Sequence, residues 1–313
     1  MVKLADKVLV TPRSYGKEDP ALFDQLADAG FEIVRNDTGG ILTKVQMIEK
    51  IAPCSGVIVG VDPLDAEVIA AAPNLRAIAK YGVGVDNIDL DAAKARGIKV
   101  SRTVGANASA VADYAMALML ALSRKLLPID RRCRAGDWSK ITTYDVTGAT
   151  LGLIGLGAIG KLVARRAQGF DMKVLAYDVM WDEGYAVSSG IEFAQPDRIL
   201  KEADFVSLHL PLLPATENFI GEKELAMMKP TAILINTARG GLVDEAALLK
   251  ALTSGALGGA GLDAFREEPP SPEWFTLDNV VLGAHCAAST KGASLQMGRM
   301  ATENLIRDMK QQH

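Results

Sequence analysis

The sequence predicts an α/β protein of two Rossmann-like domains, a flavodoxin-like unit and a doubly wound dinucleotide-binding unit, with an interdomain cleft. Three observations lead there. The chain has 313 residues, and at roughly 150 residues per domain that is enough for two separate cores. Short β-branched runs alternate with helix-patterned stretches, first over about a hundred residues and again from residue 150, the signature of a parallel sheet covered on both faces. Between the two series lies a run rich in Ala, Met and Leu that belongs to neither.

The first series predicts strands at residues 7–10, 31–34, 56–59, 75–79 and 98–101, with helices at 22–29, 45–51, 67–71 and 90–96 between them. Residues 108–122 carry almost no β-branched side chains and read as one long buried helix. Residues 124–147, with Arg131, Arg132, Arg134, Gly136 and Trp138, read as an irregular arm. A connection that long is uncommon in a compact domain unless it works as a lid or packs on a partner subunit. The second series predicts six strands, at 151–154, 174–177, 205–210, 232–236, 259–263 and 280–282, which matches a doubly wound dinucleotide sheet. A helical tail at 294–309 is too short for a domain. It is expected to pack back on the first unit, which makes that unit discontinuous.

Composition narrows the function. Apolar residues at 49% and charged residues at 23% are those of a globular chain rather than a disordered one. Lys plus Arg number 34 against 38 for Asp plus Glu, a net charge of −4, so no nucleic-acid partner is expected. The richest apolar run, 114–122, is about half the ~20 residues of a bilayer span, so no membrane partner is expected either. The opening MVKLADKVLV enters a strand pattern at once and lacks a signal peptide's apolar stretch and cleavage site, which makes a cytoplasmic location the expectation. Cys54, Cys133 and Cys286 are odd in number and widely spaced, hence reduced thiols. With three His and no clustered Cys or HxxH spacing, no metal is expected.

The chemistry concentrates in the second series. Leu151-Gly152-Leu153-Ile154 runs directly into Gly155-Leu156-Gly157-Ala158-Ile159-Gly160 and then a helix pattern. A buried strand, a tight turn and a helix N-terminus with free N–H groups together favour a pyrophosphate. Gly155 would permit the turn, Gly157 the close approach of backbone to phosphate, and Gly160 the packing of helix on strand. Asp178 ends the next strand, where a carboxylate accepts hydrogen bonds from the adenine ribose hydroxyls and repels a 2′-phosphate. No Arg or Lys immediately follows it, so the expected cofactor is NAD rather than NADP.

Three further polar groups stand where later strands end: Arg239 in INTARGG, Glu268 in DAFREEP and His285 in VVLGAH. Ligands of a doubly wound sheet collect beyond the carboxyl ends of its strands, so the three could converge on one crevice. An imidazole that supplies a proton, a carboxylate that orients it and a guanidinium that holds a substrate carboxylate are a set for hydride transfer to a carbonyl. His209, also at a strand end, reads as structural or cofactor-side, Cys286 as a small buried thiol, and His313 as a disordered terminus.

Over essentially its whole length the chain resembles the D-isomer-specific 2-hydroxyacid dehydrogenase family, on GLGAIG, HLPLLPATENFI, LINTARGGLVDEAALLKAL, GLDAFREEP and the His of GAHCAAST. The resemblance implies NAD-dependent interconversion of a D-2-hydroxy acid and its 2-oxo acid. It implies that Arg239 binds and polarises the 2-oxo acid, that Glu268 pairs with His285, and that His285 is the general acid/base. It implies further that Asp263 contacts the nicotinamide carboxamide and that Leu210, Pro211, Thr216, Thr237 and Ala238 line the cofactor. In the first unit, Lys80-Tyr81-Gly82-Val83 and the Gly84-Val85-Asp86 that follow resemble the family's glycine loop, whose backbone N–H groups cradle the substrate carboxylate. Asn107 matches a substrate-side segment, and Asp113 stands where many members have Glu. The resemblance also implies a homodimer with the long helix and arm, 107–147, at its interface; Trp138 matches an arm Trp that in some members reaches the neighbour's substrate pocket. The domains expected are a discontinuous substrate-binding domain, 1–101 with 286–313, and an NAD-binding domain, 102–285.

Three readings stay open at this point. HCAAST with Thr290 and Lys291 resembles the phosphoglycerate dehydrogenase branch more than the formate branch, and the regulatory domain many phosphoglycerate dehydrogenases carry is not expected. The phosphoglycerate branch often has Arg where this chain has Lys80, and Lys lacks the bidentate fork suited to phosphate. Glyoxylate/hydroxypyruvate reductase is the alternative. From another class comes a nucleotide-sensing corepressor-like binding protein, the less expected reading because such proteins resemble this scaffold with partner-binding tails added.

Overall fold

The computed structural model describes residues 6–311 and forms its strands where the β-branched runs predict them; the reading of His313 lies outside the described residues. In the first unit these are β1 (Asp6–Val10), α1 (Ala21–Asp28), β2 (Phe31–Arg35), α2 (Lys44–Ile51), β3 (Gly56–Val59), α3 (Ala66–Ala70), β4 (Ala77–Lys80), α4 (Leu90–Ala95) and β5 (Lys99–Arg102). All five strands pair in parallel in the order β2-β1-β3-β4-β5, the flavodoxin-like arrangement. Leu9, Val57, Val59 and Ile78 project from one sheet face onto Met47, Ile51, Val68 and Ile69 of the helices, all fully buried. The helices begin on side-chain caps that satisfy their free N–H groups: Thr43 and Gln46 form a reciprocal box on α2, and Asp65 and Asp89 cap α3 and α4.

The second unit contains α5 (Ala108–Ser123), α6 (Leu126–Arg134), β6 (Thr150–Ile154), α7 (Ala158–Gln168), β7 (Lys173–Tyr177), α8 (Glu183–Ser188), β8 (Glu192–Phe193), α9 (Pro196–Glu202), β9 (Phe205–Leu208), α10 (Glu222–Met227), β10 (Ile233–Asn236), α11 (Glu245–Ser254), β11 (Gly259–Leu262) and β12 (Val280–Leu282). Its parallel sheet runs β12-β11-β10-β9-β6-β7-β8, so the strand order reverses between β6 and β9. Period-two alternation sorts the core. Leu151, Leu153, Ile233 and Ile235 pack towards α5 and α7, whereas Ile154, Val206, Leu208 and Leu234 pack towards α9, α10 and α11. The chain then returns to the first unit as α12 (Lys291–Lys310), capped by Thr290 and tied down where the Tyr15 hydroxyl meets Thr302 Oγ1 at 2.5 Å.

Two expectations are corrected. The sheet has a seventh strand, the two-residue β8, whose exposed Glu-Phe pair at a sheet edge gives no apolar run to read. The arm is not irregular throughout: Leu126–Arg134 is helical, begun by Lys125 in the left-handed region and braced by an Asp130–Arg134 pair at 2.7 Å. Pro128 reads as a breaker, but it falls in the first turn, where the missing N–H costs nothing.

The chain divides at 107/108 and 288/289 rather than at 101/102 and 285/286. Thr103 binds Gly82 through backbone N–H and side-chain hydroxyl alike, which ties the segment after β5 to the first unit. The N–H groups of Cys286 and Ala287 are held by Asp263, which ties them to the second.

Candidate active site

The glycine loop stands at the reversal point of the second unit's sheet. Gly155 has φ 102°, and a Cβ there would lie 2.6 Å from the His209 carbonyl oxygen, so both its conformation and its space require glycine. A Cβ on Gly160 would run into the Gly155 carbonyl, which is how α7 closes on the strand end. Gly157 differs. It is the N-cap of α7, no side chain caps that helix, and nothing lies within 4 Å of where its Cβ would be. The backbone at Gly157, Ala158 and Ile159 therefore presents uncapped N–H groups with room before them, as a pyrophosphate needs. Asp178, just past β7, accepts from Leu156 N at 2.6 Å and Met180 N at 2.8 Å, which holds the loop and leaves lone pairs for ribose hydroxyls. Val179 and Met180 follow it exposed, with no cation among them.

The other cofactor-side positions flank this loop. Leu210 packs on the core beyond β9, and Thr216 Oγ1 donates to Pro211 O at 2.7 Å and accepts from Leu213 N at 2.8 Å, locking that turn. Thr237 Oγ1 is buried with no hydrogen-bond partner among the described residues, a group for which a bound cofactor would provide one. His209 rests its Nε2 on Ser207 Oγ at 3.0 Å, and burial pushes its pKa down to about 4.

Three loops of the same unit carry the expected catalytic residues. Asn236 ends β10; its Oδ1 accepts from Ala238 N at 3.0 Å and its Nδ2 donates to Arg239 O at 2.7 Å, an Asx turn that fixes the Arg239 backbone. Arg239 Nη1 donates to Ala238 O at 2.7 Å. The next residue, Gly240, lies so close to the Phe265–Arg266 peptide that no side chain would fit, which brings the Arg239 loop against the loop of Glu268. Glu268 faces His285: Nδ1 lies 2.9 Å from Oε1 and 3.1 Å from Oε2. A carboxylate only accepts, so Nδ1 carries the proton of this contact and Nε2 is left for chemistry. The His285 side chain is 46% exposed. Asp263 is 1% exposed, and both its oxygens are occupied by backbone N–H groups of the His285 segment. The structure thus gives it a task that the reading of it as a nicotinamide ligand missed.

In the first unit the residues of the glycine loop are tied into their surroundings. Lys80 is 6% exposed, and its Nζ donates to Gly60 O at 2.5 Å and Asn87 Oδ1 at 2.7 Å. Tyr81 donates its hydroxyl to Ser294 O at 2.8 Å, and Gly82 N–H is taken by Thr103 Oγ1 at 2.9 Å. Three of the four expected substrate residues are therefore turned into the chain, and Val83 carries the N–H that remains. The Asn-rich wiring behind this, Asn87 here and Asn236 in the other unit, was passed over in the sequence. For Asn236 an Asn at a strand end before a turn was the available signal.

Comparison with known proteins agrees with this geometry. Residues 116–287 match the family model described as "D-isomer specific 2-hydroxyacid dehydrogenase, NAD binding domain". A glyoxylate reductase of Korarchaeum cryptofilum is 45% identical over 273 residues, 84% of this chain and 82% of that protein. Among solved structures, a glyoxylate reductase from Paecilomyes thermophila superposes with a TM-score of 0.86 at 30% identity, over 97% of this chain and 95% of that one. D-lactate dehydrogenase from Aquifex aeolicus, solved with NAD and lactic acid, gives 0.84 at 29% identity over 97% and 96%. A dinucleotide loop, a paired His and Glu, and likeness along nearly the whole chain place this protein in the D-isomer specific 2-hydroxyacid dehydrogenase family, as an NAD-dependent oxidoreductase.

Proposed function

We propose that the chain reduces a small unphosphorylated 2-oxo acid, glyoxylate or hydroxypyruvate, to the D-2-hydroxy acid, and that the reverse oxidation uses the same groups. The observation that carries this is Lys80. Its ammonium is buried and donates to Gly60 O and Asn87 Oδ1, so at the position where a phosphate-binding relative often has Arg the side chain is turned into the chain and lacks a bidentate fork for a substrate phosphate. The names of the glyoxylate reductase relatives support the same choice over the phosphoglycerate reading.

NADH, when bound, supplies the hydride. His285 Nε2 holds the proton that passes to the carbonyl oxygen, and Glu268 keeps the ring oriented through Nδ1. Arg239 takes the substrate carboxylate and polarises the carbonyl. Gly157, Ala158 and Ile159 hold the pyrophosphate, Asp178 the ribose, and Leu210, Pro211, Thr216, Thr237 and Ala238 line the rest of the cofactor. A homodimer and a cytoplasmic setting, where Cys54, Cys133 and Cys286 stay free thiols, belong to the same reading.

A substrate panel tests it. With NADH, kcat/KM for glyoxylate or hydroxypyruvate is expected to exceed that for 3-phosphohydroxypyruvate at least about tenfold, and to exceed the NADPH value by about 10²-fold. Preference for the phosphorylated acid, or absence of turnover with every 2-oxo acid, would contradict the proposal.

A further inference from the structure

Beyond the last paired residues of β4 and β5, Lys80 opposite Arg102, the two strands stay joined through one side chain. Thr103 is fully buried, and its Oγ1 accepts from Gly82 N at 2.9 Å and donates to Gly82 O at 3.2 Å, while Thr103 N donates to the same carbonyl at 3.0 Å. One hydroxyl therefore sits astride a single glycine and meets both of its backbone polar groups. Gly82 stands at φ 137°, a conformation that L side chains rarely adopt, although a Cβ there would meet Lys80 Cε at 3.6 Å, an ordinary contact. Conformation rather than crowding is what has to be held. The residues on either side are fastened as well. Tyr81 donates its hydroxyl to Ser294 O at 2.8 Å, and Asn87 Nδ2 donates to Asp62 O at 2.6 Å and Gly60 O at 3.1 Å. Between these fastenings the loop stands past the carboxyl end of β4, where ligands of a parallel sheet collect.

We propose that Thr103 is a positioning residue for the substrate: by holding Gly82 it aims the peptides that follow at the carboxylate of the 2-oxo acid. The inference rests on the proposed reduction of a 2-oxo acid. A hydroxyl that accepts from and donates to one residue fixes the peptide planes on both sides of it, which a backbone bond to the carbonyl alone does not. Without the hydroxyl, the buried Gly82 N–H loses its partner, and the loop has to move to bring that N–H to water. The effect falls on substrate affinity, because this loop belongs to the first unit whereas the dinucleotide loop and His285 belong to the second. A carboxylate away from the reacting carbon is held alike in the ground state and the transition state, so KM rather than kcat carries the change.

The test uses the full chain with saturating NADH, glyoxylate as substrate and oxamate as a non-reacting analogue of a 2-oxo acid, its binding followed by calorimetry. Thr103→Val keeps the shape of the side chain and removes the hydroxyl. KM for glyoxylate and the oxamate dissociation constant are expected to rise about tenfold, while kcat and the NADH dissociation constant stay within about twofold. Thr103→Ser keeps the hydroxyl and loses the γ-methyl, so both constants are expected within about twofold of the parent even where its melting temperature falls. A role in packing alone would leave both constants unmoved in either variant and show only in the melting temperature. Parental constants in Thr103→Val, or an equal rise in Thr103→Ser, would overturn the proposal. An NADH affinity that falls in step with KM would overturn it too, by spreading the damage to the second unit. Should Thr103→Val not fold, Thr103→Ala takes its place with the same expectations. Should the parent turn over no 2-oxo acid, the proposed function fails while oxamate still decides this inference, and equal affinity in the parent and Thr103→Val counts against it.

Discussion

Two imidazoles stand at strand ends of one sheet and are put to different use by what faces them. His285 has a carboxylate on Nδ1 and an open Nε2, the arrangement of a proton donor. His209 has, among the described residues, the Ser207 hydroxyl on Nε2 and no carboxylate, and burial takes its pKa down to about 4, so it is neutral above that pH. That difference has a pH signature. Between about pH 6.5, the ordinary histidine value, and about pH 4 the unfolded chain binds a proton at residue 209 that the folded chain refuses. The stabilisation is therefore complete above that window and is lost as the pH falls through it. Melting temperatures of the parent and His209→Gln between pH 7.5 and 4 check this: the parent is expected to lose more on acidification, and parallel curves would contradict it. The facing of Glu268 and His285 was legible from sequence, because each lies just past an apolar strand of one parallel sheet. The contacts of the Lys80 side chain were not legible, because nothing in the local sequence says which way a strand-end lysine turns.

At the scale of elements, the glycine loop separates two roles that one motif merges. Gly160 is required by packing, since its Cβ would meet the Gly155 carbonyl, whereas Gly157 has open space in front of it. Gly160→Ala is therefore expected to lower the melting temperature of the cofactor-free protein. Gly157→Ala is expected to leave that temperature unchanged and to weaken NADH binding by about tenfold or more, because a methyl group would stand where the backbone approaches phosphate. Equal stability loss in both, or full NADH affinity in Gly157→Ala, would contradict the division. Strands β3 and β12 and the long helix α5 could be read almost to the residue, since continuous β-branched runs and an Ala-Met-Leu run each admit one structure. The helix α6 could not, because Pro128 and three arginines conceal a short amphipathic turn, and neither could β8, a two-residue edge strand held by pairing with β7 and by side-chain contacts of Glu192 and Phe193.

For the whole molecule, α6 has no buried residue, and Leu126 and Leu127 are exposed along with Trp138 at 82% on the segment that follows. Apolar side chains gathered on one arm suit burial against a second copy of the chain. Sedimentation equilibrium is expected to show a dimer, and Leu126→Glu with Leu127→Glu to give a monomer; a monomeric parent would contradict the homodimer. The central claim concerns the proton held by His285. Single-turnover oxidation of bound NADH by glyoxylate, followed by absorbance in the intact protein and in His285→Ala, addresses it directly. The variant is expected to bind NADH as the parent does and to oxidise it about 10²- to 10⁴-fold more slowly; a His285→Ala protein that keeps the parental rate would contradict the account.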